Sequence, residues 1–352
     1  MLSDPSGPFS SALAALHAIS ARGGVAVLGN DIDLTLSTGG GRGESDPRRT
    51  AIREDTGAAL RALEARGHIV GIITNRSGRQ ATRMLAERGV RTAEIVGTYG
   101  MEVFHADASD PALGTATIDA RFAPYARTIT GLLRAVRETL YDAVGLADDP
   151  GRAVEVEIPT AAGPILLERK GVCDAFPEGL AHVYNFNLAA DRRERGAYLA
   201  CMTERYRAAM RAAPDGAALG RVWGLAPPAT GPDDERFSWA LEPLIAQGKA
   251  YGMIALLRAA RRRLDDPARI GLVAFAGDSD ADAQAMRAAH LVAAVARRVA
   301  GRELPQALGV WVRPEGADAP RAAAQADITV EGPPGYARLL GEMARVSEGQ
   351  ET

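Results

Sequence analysis

Lysine is nearly absent from this chain. Of its 352 residues 41 are lysine or arginine, and only Lys170 and Lys249 are lysines. A site indifferent to the type of cation is filled by arginine here, so each lysine marks a place where a compact ammonium matters. Cysteine is scarce as well: Cys173 and Cys201 are too few for a disulfide framework and lack metal-ligand spacing, which fits inert thiols in a reducing compartment. Aromatic residues make up 5% and the net charge is -3, leaving neither a stacking platform nor a basic stripe for nucleic acid. No apolar run approaches the roughly 18 residues of a membrane span. The start, MLSDPSGPFSSALAALHAIS, carries Asp4 and no basic residue before its short apolar part, unlike a secretory leader. These absences predict a cytoplasmic protein with no membrane or nucleic-acid partner.

What is present is long enough for two domains. Apolar runs with the length of buried strands occur at Val25–Leu28, His68–Ile73, Glu94–Val96 and Ile270–Phe275. Helical patterns over Ala51–Arg66 and Ser77–Arg88, each stopped by glycine, alternate with them, giving a βαβαβ order and a parallel sheet. The rhythm breaks after Val103. A helical pattern from about Ala123 to Val144 leads to strand-like pieces at Ala153–Ile158, Pro164–Glu168 and Ala181–Phe186. An Arg-rich helix, Ala190–Ala212, precedes two more, Gly220–Gly224 and Phe237–Leu241. Alternation resumes at Lys249. The expected organisation is a doubly wound, Rossmann-like α/β core over 1–104 and 244–352, with an α+β domain inserted over 105–243.

The chemistry gathers at predicted strand ends, where open parallel sheets collect ligands. In VLGNDIDLTLS, Asp31 and Asp33 follow the first strand; Thr74 and Asn75 follow the second; GDSDAD, Gly277 to Asp282, follows the Ile270 strand. Ionised carboxylates brought together at strand ends need a cation. Asp31, Asp33 and Asp278 offer the hard oxygens that magnesium takes. ITNRSGR opens a helix whose first amides form a phosphate cradle, and Lys249 in QGKAYG supplies an ammonium. A nucleophilic carboxylate, a second one for proton transfer, a metal, phosphate donors and an ammonium make a phosphoryl-transfer site.

DIDLT, Thr74, Lys249 and GDSDAD, in this order, resemble the four motifs of the haloacid dehalogenase (HAD) superfamily. The resemblance implies that Asp31 attacks phosphorus to give an aspartyl-phosphate and that Asp33 protonates the leaving oxygen. It implies Mg2+ on Asp31, the backbone carbonyl of Asp33, and Asp278, with phosphate bound by Thr74, Asn75 and Lys249. Asp282 then holds Lys249 or stands behind the metal ligands, and Glu102 stands behind them or binds substrate. Leu34 stands where this superfamily usually has glycine and calls for an ordinary backbone conformation; Asn30 stands where a larger apolar residue is frequent.

The insertion between the second and third motifs looks like the sugar-phosphatase (C2) cap. Within that group the chain is most similar to trehalose-6-phosphate phosphatases. IVGTYGMEVF resembles their GxHGxE stretch, ILLERKGV their ExK motif, and AHVYN their HYR; QADITVEGPPGYARLLGEM resembles their final strand and helix. This implies a phosphorylated sugar as partner, read by Glu168, Lys170 and His182 of the cap. The expected activity is magnesium-dependent hydrolysis of a sugar phosphate, trehalose 6-phosphate or a related (pseudo)disaccharide phosphate. A phosphomutase and a catalytically silent phosphosugar-binding protein are the alternatives.

Overall fold

The computed structural model describes residues 8–39, 51–91, 95–105, 114–146, 153–187, 192–226, 236–244, 248–300, 305–316 and 319–347. In chain order the elements are α1 (Pro8–Ser20), β1 (Val25–Asn30), α2 (Glu54–Ala65), β2 (Ile69–Ile73), α3 (Gly78–Ala86), β3 (Ile95–Gly97) and β4 (Glu102–His105). There follow β5 (Thr115–Ile118), α4 (Ala126–Val144), β6 (Glu155–Ile158), β7 (Ile165–Lys170), β8 (Ala181–Asn187) and α5 (Arg192–Ala212). Next come α6 (Gly216–Leu219), β9 (Trp223–Leu225), β10 (Arg236–Pro243), α7 (Gly248–Arg263), β11 (Ile270–Gly277) and α8 (Ala283–Ala300). The last are β12 (Gln306–Arg313), α9 (Pro320–Gln325), β13 (Ile328–Glu331) and α10 (Gly332–Val346). No helix among the described residues is long and apolar enough to cross a membrane.

Two compact units emerge. The first comprises Met1–Asn75, Arg79–Gly114 and Gln247–Thr352, the second Arg76–Gly78 and Thr115–Ala246. In the first, the strands run in the order β13-β12-β11-β1-β2-β3-β4. Parallel pairing joins all of them up to β3, and β4 closes antiparallel on β3. Every residue of β1 (VAVLGN) and β11 (IGLVAFAG) is buried. Such unbroken apolar runs mark central parallel strands covered on both faces. Val27, Ile73, Met253, Leu256 and Phe275 share one core cluster, in which α7 lies against β1 and β2. Each such side chain, fully buried, stabilises the fold by about 1.5–3 kcal/mol. Strand order reverses on either side of β1, the doubly wound arrangement.

The second unit carries a five-stranded sheet in the order β6-β7-β8-β10-β9, antiparallel in every pair. Its first part is a three-strand meander, β6 to β8, formed by the three strand-like pieces at Ala153–Ile158, Pro164–Glu168 and Ala181–Phe186. Strand alternation sorts this sheet into two faces. Leu167, Arg169, His182, Tyr184, Trp239 and Leu241 lie on one, because Leu167 pairs with Tyr184, Arg169 with His182, and Tyr184 with Trp239. Trp239 reaches Thr203 of α5 through its indole N–H at 3.1 Å, so α5 packs on this face. Helix α4 buries Ile129, Leu132, Leu133, Val136 and Leu140, one stripe at helical spacing. The opposite face bears Leu166, Glu168, Lys170, Val183, Asn185, Ser238 and Ala240.

Some expectations met limits. Residues 106–113 and 227–235 of the insertion lie outside the described residues, as does Glu94 of the third predicted strand. Helix α8 begins at Ala283, after the acidic GDSDAD, because Ser279 to Asp282 form a turn of their own.

Candidate active site

The first unit brings three polar clusters to one edge of its sheet. Asn30 pairs with Ala276 on one side and Ile72 on the other, so Asp31, Gly277 and Ile73 are the next residues of three adjacent parallel strands. The backbone continues the ladder past the strand ends: Asp31 N–H donates to Ala276 at 2.9 Å, and Thr74 N–H to Val96 at 2.9 Å. The carboxylate and the hydroxyl are therefore carried on sheet backbone, although each begins a loop.

After Asp31 the chain coils onto one carbonyl. The oxygen of Ile32 accepts from the N–H groups of Thr35, Leu36 and Ser37 and from the Ser37 hydroxyl at 3.1 Å. This turn requires a left-handed residue, and Leu34 takes it with φ of 53°. The ordinary backbone expected for Leu34 is thus corrected. The loop keeps a geometry natural to glycine, at a cost of about 1–2 kcal/mol for a residue with a Cβ. The Thr35 hydroxyl is buried and has no hydrogen-bond partner among the described residues.

Lys249 stands in the first turn of α7, buried, with Nζ 2.6 Å from Asp31 Oδ2 and 2.5 Å from Asp282 Oδ1. Gly248 before it has φ of 56°, and a Cβ there would meet the Gln284 side chain at 2.3 Å. Glycine starts the helix this way without strain. Both oxygens of Asp282 are engaged, Oδ1 by Lys249 and Oδ2 by the Ser279 N–H at 2.9 Å and hydroxyl at 2.7 Å. A Cβ at Gly277 would lie 2.2 Å from the Asp282 carboxyl carbon, so the fold-back of GDSDAD depends on that glycine.

Oxygens of Asp31, Asp278 and Asp282 lie within 4.8 Å of one another. Burial, only partly offset by Lys249 and reinforced by Asp282 and Asp33, pushes the Asp31 carboxyl up to about 7. Burial and then Asp31 and Asp282 push Asp278 up to about 8. Burial disfavours the Lys249 charge, but Asp282 and Asp31 outweigh it and keep the ammonium protonated. With Asp282 committed to Lys249, the oxygens of Asp31 and Asp278 are the pair that would hold a hard divalent cation. A donor set whose members resist losing their protons in each other's company suits such an ion.

Of the other predicted residues, Asp33 is half-buried, Thr74 buried and Asn75 exposed, all at the same edge. Glu102 is buried and accepts from the Thr98 hydroxyl at 2.6 Å. Thr98 and Tyr99 both have positive φ, 48° and 59°, in a turn that packs on α7. Arg79 stacks over Phe104, its guanidinium carbon 6.0 Å from the ring centroid.

In the second unit, Glu168 and Lys170 share one sheet face, 3.7 Å apart from Oε2 to Nζ, and Asn185 donates to Glu168 Oε1 at 3.0 Å. His182 is on the other face. It is 0% exposed, with Nε2 2.7 Å from the Glu178 carbonyl and Nδ1 3.2 Å from the Tyr184 hydroxyl. The expectation that His182 reads a sugar beside Glu168 and Lys170 is corrected: register turns it into the packed interior, next to the buried Arg137–Glu178 pair at 3.0 Å.

Sequence reasoning passed over two residues. Glu242 follows Ala240 by two on β10 and so shares the Glu168 face; its Oε2 is buried without a hydrogen-bond partner among the described residues. Alternation along SWALE was the available signal. Trp311 on β12 donates its indole N–H to the Asp278 carbonyl at 3.1 Å, a link between strands that no local pattern announces.

No protein-family model matches the chain, and no curated protein does. Solved structures do match. The C-terminal domain of a trehalose-6-phosphate phosphatase from C. albicans aligns over 94% of this chain and 96% of its own, with a TM-score of 0.52 and 12% identity. A trehalose-6-phosphate phosphatase from Aspergillus fumigatus aligns over 96% and 98%, at 0.44 and 16%. A phosphatase of the HAD superfamily, BT1666 from Bacteroides thetaiotaomicron, aligns over 90% and 92%, at 0.42 and 14%. The first carries the comparison: across nearly its whole length, this chain shares the fold of that C. albicans domain.

Proposed function

We propose that the chain is a magnesium-dependent phosphatase that hydrolyses a sugar phosphate monoester, with trehalose 6-phosphate or a related (pseudo)disaccharide phosphate as substrate. The observation that carries this reading is Lys249 at 2.6 Å from Asp31, with Asp33, Thr74 and Asp278 at the same sheet edge.

Asp31 attacks phosphorus through a carboxylate oxygen, forming an O–P bond as the sugar oxygen departs. Asp33 supplies the proton that the departing oxygen takes up. In the second half, the Asp33 carboxylate accepts a proton from water as that water attacks phosphorus; the Asp31–phosphorus bond breaks, and inorganic phosphate leaves. Lys249 and Thr74 offer an ammonium and a hydroxyl to the phosphoryl oxygens, where charge develops. A magnesium ion held by Asp31 and Asp278 would supply charge neutralisation between carboxylate and phosphate.

The leaving group is assigned to the polar sheet face of the second unit, where Glu168, Lys170 and Glu242 offer two acceptors and a donor to hydroxyls. The disaccharide reading is supported by these side chains and by the fold shared with a trehalose-6-phosphate phosphatase domain.

Phosphate release from a panel of sugar phosphates with magnesium, wild type against Asp31→Asn, tests it. Release confined to one substrate and abolished in the variant is the expected result. Binding without release, or return of phosphate to another hydroxyl, would replace it with a phosphosugar sensor or a mutase.

A further inference from the structure

Asn30 ends β1, directly before Asp31, and is fully buried. Its amide nitrogen donates to two carbonyls, Leu28 at 3.0 Å and Gly71 at 3.1 Å, and its oxygen accepts from the Tyr336 hydroxyl at 2.5 Å. Leu28 lies on β1 and Gly71 on β2, so one side chain stitches the two strands together near their carboxyl ends. Tyr336 is buried in the first turns of α10. The described β1–β2 pairing stops at Asn30 with Ile72, and the next residues outward carry Asp31 and, after Ile73, Thr74. The stitch lies where the ladder gives out and the site begins.

A buried amide and phenol are tolerated only while bonded, and two apolar side chains would fill the same space without that demand. The polar chain does, however, have directional bonds, which apolar packing lacks. We propose that Asn30 and Tyr336 are positioning residues: the Asn30 bridge sets the spacing between the Asp31 carboxylate and Thr74, and Tyr336 locks that bridge to α10. This rests on the phosphatase reading, in which phosphorus is held between those two groups. Attack on phosphorus tolerates little displacement; a misplacement of about 1 Å costs up to roughly a hundredfold in rate.

The test compares wild type, Tyr336→Phe and the double variant Asn30→Leu/Tyr336→Phe in the full chain, using p-nitrophenyl phosphate with magnesium. Inhibition by orthovanadate, which mimics the five-coordinate transition state, and by inorganic phosphate is measured alongside the thermal midpoint. Tyr336→Phe is expected to lower kcat roughly tenfold at unchanged KM and to raise the vanadate inhibition constant by a similar factor, leaving that of phosphate unchanged. The double variant leaves no side-chain atom of the pair unbonded, although the Leu28 and Gly71 carbonyls lose the amide; vanadate affinity should stay lowered in it, whatever its thermal midpoint. A lowered midpoint with wild-type vanadate affinity in Tyr336→Phe, or full recovery of vanadate affinity in the double variant, overturns the proposal. If the wild type itself turns over no phosphate ester, the phosphatase reading fails and takes this inference with it.

Discussion

The ammonium of Lys249 lies 2.6 Å from the Asp31 carboxylate, and both side chains are buried. A buried pair of this kind leaves an uncompensated charge when one partner is removed, costing about 3–5 kcal/mol. Lys249→Met should therefore both destabilise the first unit and abolish phosphate release. Lys249→Arg should not rescue activity, since a planar fork cannot occupy the place of a compact ammonium held between Asp31 and Asp282. Chemical denaturation and phosphate release, measured on the same preparations, check both.

Metal affinity is expected to rise with pH. Asp31 and Asp278 carry carboxyls raised to about 7 and about 8, so below those values protons compete with the cation. Magnesium binding at pH 7 should release protons and tighten until about pH 8. Titration calorimetry in two buffers of different ionisation enthalpy measures the release; identical apparent enthalpies would contradict it.

His68 should make the fold acid-sensitive. The Ala26 N–H donates to its Nδ1 at 3.2 Å and Nε2 lies 2.9 Å from the Ser347 hydroxyl, an arrangement for the neutral ring. Burial, with Arg66 adding, lowers it to about 4. The folded state thus binds the proton less readily than the unfolded chain does. The contribution is fully present above about pH 6.5 and is lost as pH falls toward 4, by on the order of 3 kcal/mol. Denaturation between pH 7 and 4 should be steeper in pH for wild type than for His68→Gln.

Leu34→Gly is expected to stabilise the chain by up to about 1 kcal/mol, because it removes the left-handed cost but adds glycine's unfolded-state entropy. Leu34→Val, β-branched, should destabilise it. Thermal midpoints of the two variants decide.

Lys170→Met and His182→Asn should separate the two faces of the second sheet. Lys170→Met should raise KM for trehalose 6-phosphate and leave p-nitrophenyl phosphate untouched. His182→Asn should destabilise the second unit by about 1–3 kcal/mol, typical of a lost buried hydrogen bond, and so lower the thermal midpoint with both KM values unchanged.

Much of the site was legible because its signals are local. The apolar runs of β1, β2 and β11 and the acids and hydroxyl behind them occupy short stretches, and a parallel sheet carries such strand ends to one edge whatever happens in between. Lysine's rarity drew notice to Lys249, and the ExK alternation put Glu168 and Lys170 on one face. The second sheet was harder to read: His182 and Lys170 are 12 residues apart, and which face each takes depends on the β7–β8 register, set by pairing across a turn.

By itself the sequence determined the order of the strands, the residues at their ends and the insertion that interrupts them, since these follow from periodicity and composition along the chain. Tertiary structure alone decided that Leu34 is left-handed, that His182 points inward, and that Tyr336 reaches Asn30 across 306 positions. Those outcomes depend on which distant groups must be satisfied once water is excluded, and no local pattern carries that information.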